Sequence, residues 1–248
     1  MTRVFPYELA PKLGSRATLG LIVLQSDETI EHDFRRLLPL DGVALYASRV
    51  PSAPEVTRET LAQMEAELPA TASLLPPLEF DAVGYGCTSG SSVIGPQRVA
   101  ELVQQGCGAE HVTNPLSALV AACEALGLSR LAFLSPYVEE VSGTLRSALA
   151  ERGVESPIFG SFNEAEESRV AKIDEKSLNN AAVELAQAEE AEAVFLSCTN
   201  LRTLDVIGEI EAATGKPVLS SNLVLAWHMA RLAGISLSDE IGASLLRA

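Results

Sequence analysis

Two phrases of the sequence end an apolar run in a thiol and then open into small polar residues: DAVGYGCTSGSS at Cys87 and AVFLSCTNLRT at Cys198. A thiol at the exit of a strand lies where unpaired backbone N–H groups gather, a setting that favours thiolate over thiol. Each cysteine is therefore a candidate general acid, general base or nucleophile. The other two read differently. Cys107 sits at a turn in QQGCGAE and Cys123 lies within the helical phrase LVAACEAL, where a small buried side chain is the expected use. Separations of 20, 16 and 75 residues contain no CxxC pair, so neither a structural metal nor a disulfide framework is expected.

The two reactive candidates recur within a repeat. AVGYGCTSGSSVIGPQRVAEL and AVFLSCTNLRTLDVIGEIEAA share AV, then three residues, then Cys-Thr and a later Val-Ile-Gly, with the cysteines 111 apart. SRATLGLIVLQSDETIEHDFRRLL matches SRLAFLSPYVEEVSGTLRSAL more loosely, and NPLSALVAACEALG matches SNLVLAWHMARLAG, each an Asn before an apolar helix. Duplication at this scale specifies the architecture more strongly than any one motif.

Short β-branched runs near residues 18–25, 43–48, 81–86, 110–113, 130–134, 155–159, 192–197 and 217–219 read as strands, with helical patterns between them. This is the pattern of an α/β protein with parallel sheets. We expect two similar Rossmann-like (flavodoxin-like) lobes with parallel four-stranded sheets, related by a pseudo-two-fold axis, with the active site between them. The predicted boundaries are residues 1–116 plus 223–248 for the N-terminal lobe and 117–222 for the C-terminal lobe. Open α/β sheets bind ligands at the carboxyl ends of their strands, which would place Cys87 and Cys198 on opposite sides of one cleft.

Composition excludes several functions. With 18 basic against 33 acidic residues, the chain carries a formal charge of −15, a field that repels nucleic acid and anionic membrane surfaces. The opening MTRVFPYELAPKLGSR lacks the apolar core of a secretory signal, and no apolar run approaches the roughly 18 residues of a membrane span. A cytoplasmic protein without membrane contact is the expectation.

The phrases LGLIVLQSDETIE, GCTSGS, LSPY and SCTNLRT resemble the aspartate/glutamate racemase superfamily, in particular its maleate isomerase and arylmalonate decarboxylase branch, over nearly the whole chain from Leu19 to Gly234. SDETIEHDFRRLLP and LSCTNLRTLD are most similar to the racemase-like proteins encoded with ectoine-utilisation enzymes. The resemblance implies a cofactor-independent isomerase or racemase, a homo-oligomer, that works on a small carboxylate substrate with no cofactor or metal. It assigns Cys87 and Cys198 as an acid–base or nucleophile–acid pair. It further implies an oxyanion pocket from Thr88, Ser89 and Tyr137, with Thr199 and Asn200 meeting a second polar group. Arylmalonate decarboxylases keep only the second cysteine, so the pair argues against that decarboxylation as the native activity.

The departures are informative. Where maleate isomerases carry an asparagine after the first strand, this chain has Asp27, and near their second asparagine it offers Asn163 or Glu167. An acid in place of an amide repels a dicarboxylate and suits an ammonium or amidine; alternatively Asp27 orients or deprotonates Cys87, or simply caps the helix that begins in SDETIE. The histidine that commonly follows the second cysteine in glutamate racemases is missing from CTNLRT. His228 in AWHMA reads as a packed core histidine, His111 has no assigned role, and Arg202 is either a carboxylate ligand at the cleft mouth or a solvated surface residue. A two-lobed cytosolic sensor that binds a small carboxylate without turnover is the alternative function.

Overall fold

The computed structural model describes residues 2–39 and 41–248. Its first sheet comprises β1 (Ala17–Leu24), β2 (Val43–Val50), β3 (Glu79–Gly86) and β4 (Gly108–Thr113), in the spatial order β2-β1-β3-β4. The second comprises β5 (Arg130–Ser135), β6 (Glu155–Ser161), β7 (Ala193–Leu196) and β8 (Val218–Ser220), in the order β6-β5-β7-β8. All pairings within both sheets are parallel. The strand order is the same in both, as the internal repeat requires: β1 corresponds to β5 and β3 to β7. Every residue of β1, ATLGLIVL, is buried, as expected of a parallel strand covered on both faces.

The crossover helices are α1 (Ile30–Leu37), α2 (Arg58–Ala72), α3 (Thr88–Ile94), α4 (Pro96–Gly106), α5 (Pro115–Leu126), α6 (Glu139–Ala150), α7 (Glu167–Val170), α8 (Glu175–Ala186), α9 (Leu204–Thr214) and α10 (Ser221–Leu232). The duplicated asparagines are not structural equivalents. The Asn114 side chain accepts from the Ser117 N–H at 3.1 Å and caps α5, whereas α10 is capped by the Ser220 hydroxyl. Asn222 instead lies one residue inside α10, where its amide donates to Asp33 and to the Thr199 carbonyl, both at 2.8 Å. α10 follows the second sheet in sequence yet packs on β3 and β4 of the first and on α1 and α5. Among the described residues no helix is long and apolar enough to cross a membrane.

In both sheets the central pair, β1 with β3 and β5 with β7, lies where the chain order reverses, and the carboxyl end of such a pair opens a crevice. The residues that leave these four strand ends are Asp27, Cys87, Tyr137 and Cys198. The fold thus delivers one thiol from each lobe to the same level.

Candidate active site

One cavity is lined by both sulfurs. Its polar wall is Cys87, Thr88 and Ser89 from the first lobe and Tyr137, Glu167, Cys198 and Thr199 from the second; Leu24, Val56 and Leu61 supply the apolar wall. The accessible space is about 10 Å³, room for one water at most. Each of the polar residues is nearly inaccessible, with Cys87 at 5% and Cys198 at 4% exposure.

Cys87 lies at the N-cap of α3, and its sulfur accepts the Gly90 N–H at 3.2 Å. The sequence TSGSSVI is a poor helix former by propensity. This cap, together with the Ser91 hydroxyl bonded to the Cys87 carbonyl and the burial of Thr88 to Ser91, holds the turn. Cys198 differs. Its φ of 127° is a backbone conformation that side-chain-bearing residues rarely adopt, and no helix begins until Leu204. The turn is fixed by the Cys198 N–H donating to the Ser221 hydroxyl at 3.0 Å and by the Asn200 N–H donating to the Cys198 sulfur at 3.3 Å. Ser221 also accepts from the Thr88 hydroxyl at 2.8 Å, so one serine joins the two cysteine turns across the lobes.

The expectation that strand-end N–H groups favour thiolate is corrected by the structure. Burial pushes the Cys87 thiol up to about 12, because one N–H from Gly90 and the Tyr85 hydroxyl offset only part of the desolvation, while the negative fields of Glu167 and Asp27 add to it. Cys198 is likewise raised well above the ordinary thiol value, first by burial and then by Glu167. Both sulfurs rest as thiols.

Glu167, not Asn163, faces the site. Asn163 is exposed, at φ 54° in the loop after β6, with its N–H on the Ser161 hydroxyl. Glu167 is 3% exposed. Its carboxyl accepts from the Tyr137 hydroxyl through one oxygen and from the Asn200 amide at 2.6 Å through the other. The Tyr137 oxygen in turn lies 3.0 Å from the Cys198 sulfur. With its own proton committed to Glu167, Tyr137 accepts from the Cys198 thiol, giving a chain Cys198–Tyr137–Glu167. Burial raises the Glu167 carboxyl above its ordinary range despite these donors, which makes it a better proton acceptor than a surface glutamate.

Asn200 stands behind this wall rather than in it: besides Glu167 it accepts the Glu28 N–H at 2.8 Å, and its carbonyl accepts the Thr29 hydroxyl at 2.9 Å. Thr199 donates to the Gly86 carbonyl at 3.3 Å, so each cysteine turn is tied to the other lobe. Asp27 is 3% exposed, and one of its oxygens takes the Thr29 and Ile30 N–H groups, both at 2.8 Å, which is the helix-capping role. The other oxygen is buried without a partner. Burial raises the Asp27 carboxyl, and the Ile30 N–H, the neighbouring Thr199 hydroxyl and the Thr29 N–H relieve this only in part.

Arg202 lies apart, in a surface depression with Arg36 and Asp205 between α1 and α9. His228, half-buried on α10, pairs at 2.8 Å with the Thr113 hydroxyl through Nδ1, and burial lowers its pKa. Cys107 and Cys123 do not line the cavity. Tyr85 was not singled out by the sequence reading. It is fully buried, and its hydroxyl lies beside the Cys87 sulfur and 3.7 Å from the Met64 sulfur. The signal was present: residues two apart on a strand share a face, and Tyr85 precedes Cys87 by two.

Known proteins repeat this architecture. Maleate isomerase of Pseudomonas putida is 24% identical over 225 residues, 85% of this chain and 89% of that protein. Arylmalonate decarboxylase of Bordetella bronchiseptica is 32% identical over 123 residues, 49% of this chain and 51% of the other. Among solved structures, a cysteine-to-serine variant of Nocardia farcinica maleate cis-trans isomerase with a covalently bound succinylcysteine intermediate superposes with a TM-score of 0.82 at 23% identity, over 93% of this chain and 98% of that one. Maleate isomerase of Pseudomonas putida S16 with maleate gives 0.81 at 22% identity, over 93% and 97%. The sequence model of the arylmalonate decarboxylase family spans residues 37–246, and the chain belongs to that family.

Proposed function

We propose that this protein is an isomerase or racemase that acts on a small carboxylate held between Cys87 and Cys198, without a cofactor. The carrying observation is that sulfurs from two different lobes line one small, nearly buried cavity. A decarboxylase needs a single proton donor, whereas a second sulfur on the opposite face suits a reaction that removes or adds at one face and delivers at the other.

Two reactions fit that arrangement. In racemisation one sulfur gives up its proton to the cavity carboxylate of Glu167 and takes the proton from the α-carbon, charge develops on the substrate carboxylate, and the opposed thiol returns a proton to the other face. In cis-trans isomerisation Cys87, its proton passed to the same carboxylate, bonds to one alkene carbon and the Cys198 thiol protonates the other. Rotation and loss of the same proton then re-form the double bond and release Cys87. The succinylcysteine carried by the Nocardia relative is the adduct of the second kind. Donors for the developing carboxylate charge are available on the Thr88, Ser89 and Tyr137 side of the cavity. A place in ectoine breakdown is the finer expectation from the sequence phrases.

Replacing either sulfur by oxygen tests the reading. Cys87→Ser and Cys198→Ser should each lower kcat by orders of magnitude while the circular dichroism spectrum and Tm stay near those of the parent. Undiminished turnover in either variant sinks the two-thiol mechanism. In heavy water a racemase incorporates deuterium at the α-carbon of recovered substrate, and thiol addition with rotation need not.

A further inference from the structure

We propose that Ser221 is a positioning residue for the reaction, the fastening that holds the two sulfur-bearing turns at a fixed separation. This rests on the two-thiol reading of the cavity and adds a residue that acts through the cysteines from outside the cavity wall.

Ser221 stands where the chain crosses from one lobe to the other, at the junction of β8 with α10. Its hydroxyl oxygen accepts the Thr88 hydroxyl of the first lobe at 2.8 Å and the Cys198 N–H of the second at 3.0 Å. Those two donors use both of its lone pairs. The residue is fully buried, yet it does not line the cavity. Asn222, next in the chain, repeats the arrangement, with its amide on Asp33 of the first lobe and on the Thr199 carbonyl of the second. Two consecutive residues at the crossing therefore each grip both lobes.

The fold alone does not require this. The equivalent junction of the first half, β4 into α5, is Asn114-Pro115, and the Asn114 side chain only accepts the Ser117 N–H and caps its own helix. At the end of β8 the capping duty falls to Ser220, which accepts the Leu223 N–H at 3.3 Å. Ser221 is thereby released from its helix and spent on the two cysteine turns.

What it holds is a conformation that needs holding. The φ of 127° at Cys198 is costly for a residue with a side chain and persists only where the surroundings fix it. Thr88 directly follows Cys87, so the path from Thr88 through Ser221 to the Cys198 N–H runs from one sulfur's turn to the other's. Chemistry that removes or adds at one face and delivers at the other depends on that spacing, since a misplacement of about 1 Å can cost about 10²-fold in rate.

Ser221→Ala on the full chain tests this. The Ser220 cap remains, so the circular dichroism spectrum should match the parent's. Iodoacetamide is the probe, with alkylation of each sulfur followed by peptide mass spectrometry. In the parent the two sulfurs share a space of about 10 Å³, so alkylation of either should slow that of the other at least tenfold. In Ser221→Ala this exclusion should vanish, the second alkylation running within threefold of the first. Thr88→Val breaks the same link from its other end while leaving the Cys198 N–H on Ser221; it should reproduce the loss, and the double variant should add little to either. For the carboxylate that the parent converts, kcat of Ser221→Ala should fall at least tenfold with KM within threefold, the split of misplaced reacting groups rather than weakened binding. A parent without the exclusion, or exclusion or resistance to alkylation unchanged in both single variants, overturns the proposal. Labelling needs no turnover, so lost exclusion in the variants together with full activity in Cys87→Ser would sink the two-thiol reading and leave the fastening standing.

Discussion

At the scale of single residues, the two cysteines are equivalent in sequence and unlike in chemistry. The repeat AV-xxx-CT singles out the two cysteines that line the cavity, but it carries no information on what each sulfur touches. Cys87 gains an N–H and a nearby phenol on its own lobe, while Cys198 gains Tyr137 and, through it, Glu167. Asp27 shows the same limit: the helix cap was legible in SDETIE, and the orphaned second oxygen was not, because its surroundings come from the other lobe. Tyr137→Phe removes the hydroxyl that could pass a proton from Cys198 to Glu167, while Asn200, which donates to both, remains. Removing a proton-transfer partner costs about 10²–10⁴-fold in rate, and kcat of the variant should fall within that range. The variant also leaves one Glu167 oxygen without its donor, worth about 1–3 kcal/mol, so Tm should drop modestly. A kcat equal to the parent's would remove the relay from the mechanism.

At the scale of elements, eight strands and the longer helices followed from β-branched runs and amphipathic spacing, because parallel strands buried on both faces leave a dense apolar signature. α3 was not legible: its residues disfavour a helix, and only the Cys87 cap and close packing impose one. The contact of α1 with α10 was equally hidden. There Asp33, 2% exposed, is raised to about 7, by burial first, with the Asn222 hydrogen bond opposing it. The folded value exceeds the ordinary 3.8 of an unfolded chain, so the protonated form is favoured in the fold. Stability from this group is complete below about pH 3.8 and is lost as pH rises to about 7, above which the penalty is constant. Asp33→Asn abolishes the titration, keeps an acceptor for Asn222 Nδ2 and offers a donor to its unpartnered Oδ1. Its Tm should match the parent near pH 4, exceed it increasingly up to about pH 7 and by a constant amount above that, a gain on the order of a few kcal/mol. A pH-independent difference between the two would mean that Asp33 does not titrate in the fold.

At the scale of the molecule, the duplicated lobes explain why the site exists, and the loops between them explain why it is closed. The segment after β2 meets the segment after β6: the Val56 N–H donates to the Ala165 carbonyl at 3.2 Å, the Glu167 N–H donates to the Pro54 carbonyl at 3.1 Å, and Glu55 pairs with Glu166 in an isolated antiparallel bridge. No sequence pattern announces this clasp, since it joins loops more than 100 residues apart through backbone groups alone. Val56 and Glu167, which belong to it, line the cavity, and a space of about 10 Å³ is too small for a carboxylate, so entry is expected to require the clasp to part. Opposed residues of an antiparallel bridge have Cα atoms about 4.5–5.5 Å apart, within reach of a disulfide. The double variant Glu55→Cys with Glu166→Cys should therefore lose substrate binding and turnover on oxidation and regain both on reduction. The single variants, oxidised and reduced alongside, report any effect on the native thiols. An oxidised double variant, with its cross-link verified by mass spectrometry, that still turns over at the parent rate would mean that substrate reaches the sulfurs by another route.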